Sequence, residues 1–186
     1  MVDVSGLKGR IAEAFVEAIL RRARYQVSRL GRETNVERLV KVGGDEFLPD
    51  FLVWRPGERT GADRPLYRLL TVEVKYRANL PQFLARYGEE LVEKVRTQWP
   101  DLLFVFVTDN TTDGRSCFQV VDLCRYEACG VPMTVDLHKV GDLDIYKTTV
   151  EEYEGLVKQI FPVLSSHANS QVPPGGLQGE GVRQNR

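Results

Sequence analysis

The chain has 186 residues, of which 27% are charged and 42% hydrophobic, with a net charge of −1 and a pI near 6.2. That length suits one domain with a sizeable core, and the composition is that of a soluble globular protein whose longest apolar run, Leu102 to Val107, is far short of a membrane span. The near-neutral balance excludes nucleic-acid binding by bulk charge alone.

The charge is unevenly distributed. Residues 1–100 carry 18 Lys and Arg against 14 Asp and Glu, a balance of +4, while residues 101–186 carry 7 against 12, a balance of −5. Arg21, Arg22, Arg24, Arg29, Arg32, Arg38 and Lys41 would line a phosphate-tracking surface if they are more than a solvated face. Asp3, Lys8, Arg10 and Glu13 interrupt the start where a secretory signal needs an apolar stretch, so a cytoplasmic protein is expected. Cys117, Cys124 and Cys129 form no C-x-x-C pair and read as reduced thiols, and His138 and His167 are too isolated for a zinc site.

In chain order, Leu7 to Arg24 reads as a helix with Ala12, Phe15, Val16, Ile19 and Ala23 on one apolar stripe and Glu13 at its margin. Tyr25 to Leu30 and Glu46 to Trp54 read as strands, the second with Leu48, Asp50, Leu52 and Trp54 on one face. Between them, Gly43-Gly44-Asp45-Glu46-Phe47 spells the signature of diguanylate cyclases, but nothing upstream matches that family and the glycines read as a turn. After a Pro- and Gly-rich loop, Arg55 to Arg68, comes a third strand, Leu69 to Arg77. Asn79-Leu80-Pro81-Gln82 opens a second helix whose core face is Phe83, Leu84, Tyr87, Leu91 and Val95. Leu102 to Thr108 reads as a strand buried on both faces and Cys117 to Leu123 as a further strand. Residues 124–147 offer at most a short strand. Thr149-x-x-Glu152 reads as a capping box for a last helix ending near Pro162. Residues 1–164 are expected to form a single domain, and residues 165–186, rich in Ser, Gly, Pro, Gln and Asn, a disordered tail.

Chemistry concentrates in the second and third strands. Residues two apart on a strand share a face, so Glu73 and Lys75 stand side by side, and Asp50 needs only to lie on a neighbouring strand to join them. Two carboxylates at one point repel each other unless a cation compensates them, and such oxygen ligands suit Mg²⁺. A metal beside a lysine is one way to activate water against a phosphodiester. Asp109-Asn110, closing the apolar strand, would supply another ligand or simply a turn.

The order of helix with Gly9-x-x-x-Glu13, strand, strand with Pro49-Asp50, strand with Glu73-Val74-Lys75, helix and strand resembles the PD-(D/E)XK nuclease superfamily over residues 7–123. In pattern it is most similar to the Mrr-type and archaeal Holliday-junction-resolvase branches. The resemblance implies an α/β fold with a restriction-endonuclease-like core, a mixed central β-sheet flanked by helices. It also implies a Mg²⁺-dependent endonuclease acting on DNA, with Mn²⁺ substituting. Asp50 and Glu73 would be metal ligands, joined by Glu13 directly or through water and by the backbone carbonyl of Val74. Lys75 would orient or help deprotonate the attacking water, and Gln82 and Arg86 are auxiliary candidates from the following helix. Specificity would come from core loops, a homodimer or a larger nucleic-acid complex. The alternatives are an inactive nucleic-acid-binding or structural module of the same fold and a nuclease for RNA or single strands.

Overall fold

The computed structural model describes residues 3–30, 48–56, 67–99, 101–112, 114–122, 126 and 130–169. Arg32, Arg38, Lys41, the Gly43–Phe47 turn and residues 170–186 lie outside them, as does most of the Arg55–Arg68 loop.

Helix α1, Val4–Arg22, starts three residues before the periodicity suggests because Asp3 caps it, its Oδ1 accepting the Gly6 N–H at 2.9 Å. Strand β1, Gln26–Arg29, runs antiparallel to β2, Phe51–Pro56, and β2 runs antiparallel to β3, Tyr67–Tyr76. Helix α2, Leu80–Gln98, then carries the chain back so that β4, Leu102–Val107, pairs parallel with β3, which a tight turn cannot achieve. Strands β5, Phe118–Val121, and β6, Thr134–Asp136, complete the sheet by antiparallel pairing. The sheet is therefore mixed and six-stranded, ordered β1 to β6 as in sequence. Two short 3-10 turns, Leu137–Lys139 and Gly141–Leu143, lead into helix α3, Lys147–Asn169.

Strand alternation gives the sheet two apolar faces. Val72, Val74, Tyr76, Val105 and Val107 meet Ala12, Val16 and Ile19 of α1 and Val150, Val157 and Phe161 of α3. Leu102, Phe104 and Phe106 face the other way, toward Leu80 and Val92 of α2. Helices thus flank both sides of the sheet. Burying each of these large side chains stabilises the fold by about 1.5–3 kcal/mol. Among the described residues no helix is long and apolar enough to cross a membrane.

Three sequence expectations need correction. Thr149 sits inside α3, which begins at Lys147, and its N–H donates to the Tyr146 carbonyl. Glu152 reaches Arg22 of α1 instead of closing a capping box. The helix also does not stop near Pro162. Proline removes one backbone donor, but Pro162 is exposed, so water can satisfy the carbonyl left without a partner and α3 continues to Asn169. Ser165, assigned to the tail by composition, is held instead, accepting a 2.8 Å hydrogen bond from Lys8 and donating to the Phe161 carbonyl.

Candidate metal centre

The site begins where β2 parts from β3. Their ladder ends with Phe51 opposite Val72, so Asp50 stands just beyond the last pair, beside Glu73. The Val74 N–H, which would next meet a backbone carbonyl, donates instead to Oδ2 of Asp50 at 2.7 Å. The Asp50 carbonyl meanwhile accepts the Leu30 N–H, which ties the residue to β1. A carboxylate has taken over a ladder position, and both of its ends are anchored.

Glu73 shares its face of β3 with Lys75, and Phe104 and Phe106 are their partners on β4. The Glu73 side chain is therefore sunk on the α2 side, 4% exposed, with Lys75 Nζ 2.5 Å from its Oε1. Its other oxygen, Oε2, is buried and receives no donor, and a hydrogen bond to the Asp50 carboxylate is open to Glu73 only in its protonated form. Burial and then the nearby charge of Asp50 push the Glu73 carboxyl up to about 7, against the opposing pull of Lys75. One lysine, itself 43% exposed at the side chain, does not neutralise the pair.

Glu13 reaches the same region from α1. Burial and the Asp50 charge raise its carboxyl above the usual range, while Arg29, Lys75 and Arg10 pull it back down. Asp50 and Lys75 thus act electrostatically on both Glu73 and Glu13 at the β2–β3 divergence. Among the described residues these side chains do not form a ready-made cage of three ligands, and Glu73 Oε1 is held by Lys75. The donors fit a hard divalent cation all the same. All three acids offer oxygen, a buried oxygen of Glu73 receives no donor, and the raised carboxyls of Glu73 and Glu13 show that their negative charge is poorly compensated.

Gln82 and Arg86 are placed differently. Gln82 is exposed in the first turn of α2, where its N–H donates to Asn79 Oδ1 and its side-chain oxygen accepts from Asn79 Nδ2, both at 3.1 Å. Arg86 is exposed with its guanidinium 5.0 Å from the Tyr87 ring. Among the described residues neither forms a hydrogen bond or ion pair with the four-residue cluster.

Asp109 is not drawn into the cluster as a ligand. It accepts 2.8 Å hydrogen bonds from Lys8 Nζ and from the Tyr76 hydroxyl, a satisfied network that locks the ends of α1, β3 and β4 together. Lys8 is 3% exposed and gives no signal in sequence, where a lysine on an amphipathic helix reads as surface. Arg29, one of the basic residues the sequence offers for a phosphate-tracking surface, is a neighbour of the site. It pairs opposite Phe51, one residue from Asp50, and its guanidinium bonds Glu17 at 2.6 Å while lying over the Phe51 ring.

No protein-family model matches the chain, and no curated protein or solved structure matches it.

Proposed function

We propose that the protein is a divalent-cation-dependent endonuclease that hydrolyses phosphodiester bonds of DNA, built on a restriction-endonuclease-like core. The observation that carries this reading is the under-compensated carboxylate cluster beside Lys75, with the Oε2 of Glu73 buried and unpartnered. A structural acid at that depth would have its hydrogen bonds made. The order of elements around the cluster and the Pro49-Asp50 and Glu73-Val74-Lys75 segments support the same reading, as the resemblance drawn from the sequence implies.

Asp50 and Glu73 would hold Mg²⁺ or Mn²⁺, with Glu13 as a direct or water-bridged ligand and the Val74 carbonyl as a backbone one. The bound cation would polarise the scissile phosphate and acidify water. The protein's own groups set the rest. Oδ2 of Asp50, pinned by the Val74 N–H, fixes one ligand before substrate arrives. Glu73 would give up its proton to solvent when a cation loads, and Lys75 Nζ would then orient the attacking water or donate to the phosphate oxygen that gains charge. The Phe104 and Phe106 side of the sheet limits water around Glu73.

The test is incubation of the purified protein with supercoiled, linear and branched DNA, and with RNA, in Mg²⁺, Mn²⁺ or EDTA. Nicked or linear DNA in either metal and none in EDTA is the expected result. Intact DNA under all conditions, with no metal bound, would favour the binding module, and cleavage of RNA alone would move the substrate.

A further inference from the structure

A second cleft, of about 480 Å³, opens at the far end of β2 from the carboxylates. Arg55 in its wall is five residues from Asp50, roughly 17 Å along a strand at about 3.3 Å per residue. The walls combine Arg22 and Arg24 at the end of α1, Arg55 of β2, His138 of the first 3-10 turn, and Asp144 and Tyr146 at the entry to α3.

Backbone geometry sets this cleft apart. The two non-glycine residues with left-handed φ among the described residues, Arg24 at 66° and Asp144 at 48°, both line it. At Arg24 the reason for strain is explicit. The Tyr25 N–H donates to the Leu20 carbonyl and the Arg24 N–H to that of Arg21, both at 3.0 Å, which closes α1 with the motif whose left-handed position normally belongs to glycine. An arginine there carries a steric cost that glycine does not, and such strain concentrates at binding sites.

Charge points the same way. Arg24 is exposed with no partner among the described residues. Arg55 bonds Asp144 at 2.7 Å and lies 4.9 Å from the Tyr25 ring centre, an orientation fixed in advance. Nδ1 of His138 is buried without a partner. The N-terminus of the 23-residue α3 adds its positive end at the rim. Tyr146, 75% exposed, offers a free ring face beside these cations, and the volume lies in the range of small-molecule sites.

We propose that this cleft binds a nucleotide through its phosphate, with Arg24 and Arg55 holding the phosphate oxygens and the base stacked on Tyr146. The site does not depend on the metal-centre reading. The ligand chemistry is a nucleoside 5′-phosphate, free or at the end of a strand.

The experiment is calorimetric titration of the full chain in EDTA and 150 mM salt, which keeps the carboxylate site silent. The probes are dAMP, deoxyadenosine, and a decanucleotide with or without a 5′-phosphate. Saturable binding of dAMP, with deoxyadenosine at least tenfold weaker, is expected. Arg24→Gly should weaken dAMP at least tenfold while the melting temperature stays level or rises, since glycine relieves the strain. Tyr146→Ala should also weaken dAMP. A 5′-phosphorylated decanucleotide that binds with the same Arg24 dependence identifies strand ends as the source, and its failure beside tight dAMP identifies free nucleotide. No saturable dAMP binding, or unchanged binding in Arg24→Gly, would overturn the proposal.

Discussion

Glu73 and Asp136 are both buried acids, at 4% and 2% exposure, yet their surroundings drive them in opposite directions. Burial raises the proton affinity of each. At Asp136 that rise is overcome by Lys139 at 2.7 Å, Arg115 at 2.8 Å and the Ser116 N–H, which hold the carboxyl down at about 2. At Glu73 one cation, Lys75 at 2.5 Å, opposes burial and the Asp50 carboxylate together, and the carboxyl rises to about 7. The first acid is a finished structural contact joining β6 to the start of β5. The second resists ionisation beside another carboxylate, as an acid whose charge has no sufficient counter-charge does.

Removing each acid should break the comparison most visibly. Asp136→Ala strands Arg115 and Lys139 and unsatisfies the Ser116 N–H, and is expected to cost about 3 kcal/mol in urea unfolding. Glu73→Gln, in EDTA, is expected to be neutral or stabilising, because it removes a repulsive charge and Lys75 can turn to solvent. A loss for Glu73→Gln as large as that for Asp136→Ala would make Glu73 a structural acid too.

The same contrast predicts two opposite pH slopes. Glu73 has a folded value above its unfolded 4.5, so its favourable share of stability is complete below pH 4.5 and is lost as pH rises toward about 7. Asp136 has a folded value below 3.8, so its share is present above pH 3.8 and is lost as pH falls to about 2. Metal-free melting across pH 2–8 should show both slopes, and Glu73→Gln should flatten the upper one and leave the lower.

Lys75 sharpens the comparison from the chemical side. Lys75→Ala is expected to lower plasmid nicking at least ~100-fold while Mn²⁺ still binds, since the ammonium acts on the reacting oxygens and ligates nothing. Asp50→Ala should weaken both. Full nicking in Lys75→Ala would remove that residue from the chemistry.

The smallest effect belongs to the satisfied network at Lys8. Ser165→Ala removes one of its acceptors and should lower stability by about 1 kcal/mol, read from the urea midpoint. Truncation after Asn169 spares that contact and should leave the midpoint unchanged, whereas truncation after Leu164 should not.

Much of this arrangement is legible in the sequence because it rests on short-range periodicity. Alternation in 70–76 puts Glu73 and Lys75 on one face, and the helical stripe leaves Glu13 at its margin. What the sequence hides depends on contacts between distant segments. The depth at which Glu73 is buried depends on β4 lying alongside with Phe104 and Phe106, and the pairing of Lys8 with Asp109 requires α1 to cross the ends of β3 and β4. Arg24 and Tyr146 give no sign of a shared cleft, since a run of arginines looks the same whether it is solvated or lines a wall. Pro162 misleads because a proline on an exposed helix face leaves its orphaned carbonyl open to water, and the helix continues past it.

The central claim is that the crowded carboxyls around Glu73 serve a cation, and Mn²⁺ titration near pH 6.5 in buffers of different ionisation enthalpy tests it directly. Metal can load only onto ionised oxygens, so binding by the wild type should release protons, and Glu73→Gln should bind more weakly and release fewer. Absence of saturable binding, or binding with no proton release that Glu73→Gln leaves unchanged, would contradict the account.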